Sequence, residues 1–119
     1  MTVEALHSDY IDLFPFKAWV RVHWDRMEVK TRFFRIEIPY SELEGIGLVE
    51  RIPWYVGRGV EPYPISRTLY VVDRRRNCVE IRKNSGFWRR LVLSVTDPET
   101  LIDVVRRYSG LESRPKVQP

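Results

Sequence analysis

From Phe16 onward, apolar and polar positions alternate. Phe16, Ala18, Val20, Val22 and Trp24 fall on one side, Lys17, Trp19, Arg21 and His23 on the other. A period of two marks a half-buried strand. Asp25-Arg26 follows as a turn short enough for a hairpin. Met27, Val29, Thr31 and Phe33 continue the alternation until the phase inverts and Phe34, Ile36 and Ile38 become the apolar set. A one-residue slip exchanges the buried and solvated faces, so the inversion predicts a turn or bulge at Phe33-Phe34 between two strands, roughly 26–32 and 34–38. Pro39 ends the second of these because it has no N–H to donate to a ladder. Ile46, Leu48 and Val49 open a fourth strand reaching about Ile52.

The next stretch, PWYVGRGVEPYPIS over residues 53–66, holds three prolines and two glycines, which exclude a regular element of any length. It is the longest connection in the chain and reads as the crossover between one sheet and another. Beyond it, Thr68–Asp73 and Cys78–Lys83 flank Arg74-Arg75-Arg76-Asn77 as two strands and a turn. Phe87–Val95 follows Asn84-Ser85-Gly86, a turn with residues that accept positive φ. A helix comes last. Thr96 or Asp97 caps it, Pro98 takes its first position and Glu99 its first turn. Leu101, Val104, Val105 and Tyr108 form a single apolar stripe, and Gly110 stops the helix.

Residues 1–15 show no period and read as an N-terminal arm; residues 110–119 are polar and proline-broken and read as a disordered tail. The domain proper is then 16–109. Seven strands and one helix give a mainly β (α+β) fold, an antiparallel β-sandwich or open barrel capped by a C-terminal α-helix. The segments IPYSELEGIGLVERIPWYVGRGV (38–60), TLYVVDRRRNCVEIRK (68–83) and LVLSVTDPETLIDVVRRY (91–108) resemble, in that order, the bacterial and archaeal pleckstrin-homology-like (PH-like) family. The resemblance covers about Lys17 to Tyr108. It implies a PH-like seven-stranded fold and a binding role, with no particular ligand.

The 119 residues are enough for one domain with its own core. A lone cysteine, Cys78, excludes an internal disulfide and suits a reducing compartment. The N-terminus carries acids and no basic leader region, and no apolar run is long enough to span a bilayer, so a cytoplasmic setting is expected. The net charge of +4 permits acidic partners without demanding them. The preference for arginine over lysine suits a thermophile with surface ion-pair networks, and equally a GC-rich genome.

Candidate chemistry is confined to surfaces. The wider PH-like fold often holds phosphorylated headgroups with cations on its first two strands, which the resemblance carries onto Lys17, Arg21 and the Lys30-Thr31-Arg32 pair of bases. Arginine suits phosphate through two parallel hydrogen bonds. The Asp25-Arg26 turn departs from that pattern, being short and acidic, and the same alternation describes an ordinary solvated strand face. Arg74, Arg75 and Arg76 form the densest charge cluster, at a turn expected to project into solvent. Trp88 beside Arg89 and Arg90 offers a ring with adjacent cations, as single-stranded nucleic-acid sites use. Trp54, Tyr55 and Arg58 are residue types favoured at interface cores. The partners these imply are a protein or a second copy of the chain first, then anionic lipid or single-stranded nucleic acid.

Enzymatic and cofactor chemistry is not expected. His7 and His23 have no neighbours at metal-ligand spacing. Cys78 has basic neighbours but no base partner. Gly57-x-Gly59 lacks the third glycine and the helix of a nucleotide fingerprint.

Overall fold

The computed structural model describes residues 6–13 and 15–111. Nine strands form two sheets. Strands β1 (His7–Leu13), β2 (Phe16–Val22), β3 (Arg26–Lys30) and β4 (Arg35–Pro39) make a four-stranded antiparallel meander in sequence order. A single 3-10 turn at Tyr40–Glu42 then leads into the second sheet. That sheet comprises β5 (Leu43–Val49), β6 (Gly59–Tyr63), β7 (Thr68–Val72), β8 (Cys78–Lys83) and β9 (Arg90–Ser94), in the order β5-β8-β9-β7-β6. The helix α1 (Pro98–Ser109) closes the described chain.

The main core lies between the sheets. Ala18, Val20, Val22, Met27, Val29 and Ile38 of the first sheet face Leu69, Val71, Val79, Ile81, Leu91 and Leu93 of the second, with Leu101 and Val105 of α1 packed in. The phase inversion after Thr31 is a turn, as its sequence requires. The Thr31 hydroxyl oxygen accepts from the N–H groups of Phe33 and Phe34, both at 3.1 Å.

Several expectations are corrected. The N-terminal segment is not an arm over its described part: His7–Leu13 is a full edge strand paired residue by residue with β2. There are nine strands among the described residues, not seven, and β7 and β9 run parallel. The chain changes sheet at Tyr40–Glu42, not at the proline-rich loop. That loop instead connects the two opposite edges of the five-stranded sheet, and Gly59–Tyr63 within it is an edge strand. Edge strands tolerate a proline such as Pro62 because one side needs no ladder bond. Trp24, which alternation assigns to the buried side, lies exposed in the β2–β3 turn. Residues 112–119, the greater part of the expected tail, lie outside the described residues.

The parallel pair arises because β9 inserts between β7 and β8. Those two strands stand two strand spacings apart, roughly 10 Å, a gap bridged by the Asp73–Asn77 connection with Asn77 in a left-handed conformation at φ 58°. Both ends of the inserted strand are stitched. At one end the Asp73 N–H donates to Ser94 Oγ (2.8 Å), Ser94 Oγ donates to Asp73 Oδ1 (2.5 Å) and the Val95 N–H donates to the Asn77 carbonyl (3.0 Å). At the other, the N–H groups of Arg89 and Arg90 share the Arg67 carbonyl at 2.9 and 3.2 Å.

Helix α1 starts at Asp97, whose side chain accepts from the Thr100 N–H, and stops at Gly110, whose φ of 74° is the left-handed stop expected of glycine. Its buried stripe is Leu101, Ile102, Val105 and Ser109, rotated from the predicted one so that Tyr108 is exposed. Asp9 ties the helix start to β1. This carboxylate is 4% exposed and accepts from the N–H groups of Tyr10 (2.7 Å), Thr96 (3.0 Å) and Asp97 (2.9 Å) and from the Thr96 hydroxyl (2.5 Å). Burial alone would raise its pKa, but these four donors outweigh it and hold the carboxyl below its ordinary value.

Candidate partner-binding surface

The loop from Glu50 to Arg58 crosses the outer face of the five-stranded sheet. Ile52 and Val56 turn inward onto Tyr70, Val72, Cys78 and Val92, making a second small core. All five residues of β7 are therefore buried, as in a strand covered on both faces. The loop backbone is held by one side chain. The Arg75 guanidinium donates to the carbonyls of Ile52 (3.2 Å), Pro53 (2.9 Å), Trp54 (2.6 Å) and Val56 (2.9 Å). Its planar fork of donors fits a ring of carbonyls in a way a single ammonium does not. Glu61 adds a second anchor, its Oε2 accepting from the Gly57 N–H and the Tyr63 hydroxyl, both at 2.9 Å. Arg58 donates to the Asp12 carbonyl at 3.3 Å, joining the loop to the end of β1.

On that fixed backbone the aromatic side chains point outward. Trp54 is 85% exposed and Tyr55 56%. With Tyr63 and Tyr70 they form a chain of edge-to-face rings whose centroids lie 5.9, 5.6 and 5.4 Å apart. The chain leads from solvent into the second core, an arrangement favourable for aromatic pairs. The Tyr63 hydroxyl is held above its usual pKa by partial desolvation and by its bond to the Glu61 carboxylate.

The arginine cluster beneath this loop is not the solvent-projecting tip its sequence suggested. Arg75 is the clamp just described. Arg74 is half-buried, its ε-nitrogen 3.3 Å from Asp73 Oδ1. Arg76 is exposed. The neighbouring Cys78 is buried, and its thiol is pushed up to about 11 by burial and by the Asp73 carboxylate. It is a residue of the second core.

Trp88, Arg89 and Arg90 lie at the opposite end of the same sheet, so the structure divides the sequence candidates into two groups. Trp88 is half-buried against the main core and meets Phe87 edge-on at 4.8 Å. Arg89 donates to the carbonyls of Gly86 (2.7 Å) and Asn84 (3.0 Å), fixing its own turn. Arg90 and Arg82 share the Glu80 carboxylate at 3.0 and 2.5 Å. Burial pushes the Glu80 pKa up, but the two guanidinium groups outweigh it and hold the carboxyl below its ordinary value. The ring is half-covered, and both arginines are engaged within the protein.

Lys17, Arg21 and Lys30 stand on the outer face of the four-stranded sheet, with Arg32 in the turn after β3. Arg21 lies 3.6 Å from Glu28, which also holds Arg35 at 2.8 Å. Two rings on this face, Tyr10 and Trp19, were assigned no role in the sequence. Tyr10 was hidden because β1 itself has no readable period. Among the described residues no group of three His, Cys, Asp or Glu side chains is placed to hold a metal ion, and no helix is long and apolar enough to cross a membrane.

Fold and surface together define a two-sheet, mainly β domain with a C-terminal helix and a pinned aromatic loop on one sheet. Compared with protein families, curated proteins and solved structures, the chain gives no match.

Proposed function

We propose that this chain is a non-catalytic binding module, set in the cytoplasm, whose crossover loop receives a protein partner through Trp54, Tyr55 and Arg58. One observation carries the reading. A loop whose backbone is fixed by the four carbonyl bonds of Arg75 nonetheless presents its largest rings to solvent. Rigid exposed aromatics lose little conformational entropy on binding and are the residues on which interface energy concentrates. A PH-like ancestry belongs to the same proposal. A four-stranded meander, a second sheet and a closing helix favour it, while the nine strands and the parallel β7–β9 pair depart from the expected pattern.

The test is capture from cell lysate on immobilised full chain, compared with the Trp54→Ala/Tyr55→Ala double variant and with Trp24→Ala, an exposed tryptophan elsewhere. Proteins held by wild type and Trp24→Ala but lost by the double variant support the reading. Identical recovery on all three overturns it. Sedimentation equilibrium of the same proteins identifies a second copy as the partner if a wild-type dimer dissociates in the double variant.

A further inference from the structure

The outer face of the four-stranded sheet has an internal order that the crossover loop does not share. The cross-strand register places Tyr10, Trp19, Lys30 and Arg35 in one row spanning all four strands. The Tyr10 and Trp19 rings lie 5.8 Å apart and each residue remains 36% exposed. On one side of this row the charges are neutralised within the protein. Glu28, buried, holds Arg21 and Arg35, and Glu37 holds Arg26 at 3.5 Å. On the other side Lys17 stands opposite Asp12 in the register. Lys17 lies 4.9 Å over the Tyr10 ring, whereas Arg32 lies 4.4 Å over the Phe16 ring, on the Ala18 side of β2 and so off this face. Neither Lys17 nor Lys30 forms an ion pair within 4.0 Å among the described residues.

We infer that this half of the face, centred on Tyr10, Trp19, Lys17 and Lys30, binds single-stranded nucleic acid. Its two kinds of group match the two repeating parts of such a strand. Unpaired bases stack on exposed rings whatever their identity, and the phosphates between them seek cations. The exposed ammonium groups of Lys17 and Lys30 supply the complementarity to that backbone. A duplex hides its base faces and offers nothing to the rings. An anionic membrane would also take the cations, and Tyr and Trp rings sit at membrane interfaces too, so the vesicle arm of the experiment separates the two. The surface lies on the other sheet from Trp54 and Tyr55, so the two readings stand or fall separately.

The experiment is fluorescence anisotropy of a labelled oligothymidylate of about 15 nucleotides, within the range of single-strand site sizes, titrated with the full chain at low salt. Binding is expected, with log affinity falling against log salt at a slope of about −1.4, from roughly 0.7 per neutralised phosphate and two cations. Trp19→Ala is expected to weaken binding at least about fivefold, the lower end of one lost stacking contact. Lys30→Ala, an exposed substitution with no core contact, is expected to reduce the slope by about 0.7 and keeps the test valid should Trp19→Ala fold poorly. Trp54→Ala is expected to bind as wild type. No anisotropy change at low salt overturns the inference, as does equal affinity for duplex of the same length. So does binding to phosphatidylglycerol vesicles without binding to the oligonucleotide, or a loss caused by Trp54→Ala and not by Lys30→Ala.

Discussion

Asp9→Ala is expected to be the most damaging single polar substitution in the first strand. Asp9 is 4% exposed and accepts four hydrogen bonds, three of them from Thr96 and Asp97 at the start of α1. Bonds to a charged acceptor contribute about 1.5–3 kcal/mol each, and the helix dipole adds a little more. The sum overstates the loss, because Thr96 and Asp97 are exposed and water replaces part of what the carboxylate gave. A net cost of about 3 kcal/mol is reasonable, against total domain stabilities of about 5–15 kcal/mol. At about 4 °C per kcal/mol for a chain of this size, the midpoint falls by roughly 12 °C. The pH dependence separates charge from packing. The folded-state pKa of Asp9 lies below its unfolded value, so its stabilisation is complete above about pH 4 and is lost as pH falls through the folded value. Asp9→Asn is neutral throughout, so the stability gap between wild type and Asp9→Asn should be widest near neutrality and narrow on acidification. Urea unfolding followed by tryptophan fluorescence at a series of pH values reads both quantities. A neutral-pH gap under about 0.5 kcal/mol for Asp9→Ala, the range of featureless surface changes, would refute the staple. So would an Asp9→Asn gap that does not shrink in acid.

The remaining expectations are smaller. Arg75→Ala removes all four carbonyl bonds and should cost about 2 kcal/mol while speeding amide exchange across residues 52–56; Arg75→Lys should not restore protection, because an ammonium lacks the fork. Unchanged exchange in Arg75→Ala would show that the loop holds itself. Cys78, with its thiol pushed up to about 11 and buried, should resist a disulfide-exchange reagent in the native chain at mildly alkaline pH and react once urea unfolds it. Rapid native labelling contradicts its placement in the second core. Gly110→Ala should destabilise by about 1 kcal/mol, since residue 110 sits at φ 74°; a neutral result in thermal unfolding would mean the helix ends elsewhere.

Much of this fold was legible in the sequence, and the failures have identifiable causes. Strands β2, β3, β4, β7, β8 and β9 and the capped helix follow from alternation, turn residues and the Asp97-Pro98-Glu99 start. Strand β1 was unreadable because a carboxylate, Asp9, occupies a core-facing position where alternation calls for an apolar residue. Strand β6 was rejected for Pro62 and Gly59, correctly for a central strand and wrongly for an edge. The insertion of β9 between β7 and β8 is a tertiary choice, since a short connection such as Asp73–Asn77 ordinarily joins adjacent strands. The site was half legible. Trp54, Tyr55 and Arg58 stood out by residue type and are together, but Arg74, Arg75 and Arg76 look alike in sequence. Only the curve of loop carbonyls above Arg75 distinguishes a clamp from a contact.

That distinction bears on whether the exposed rings have a structural duty. A loop that covers a sheet must bury something, and here Ile52 and Val56 do so, at 8% and 2% exposure, over Tyr70, Val72, Cys78 and Val92. Trp54 and Tyr55 lie on the far side of the same backbone. If their exposure served the fold, truncating them would cost stability; if the fold is complete without them, it would not. Val56→Ala should therefore destabilise by about 1–3 kcal/mol, less than the 2–5 typical of larger buried aliphatics. Trp54→Ala, losing one edge-on contact to Tyr55, should stay within about 0.5 kcal/mol of wild type. Paired urea denaturations of the two variants decide the matter. A Trp54→Ala cost comparable to that of Val56→Ala would make the tryptophan a packing residue and remove the main support for a partner at this loop. A near-neutral Trp54→Ala leaves the ring without a packing role, as the proposed partner site requires.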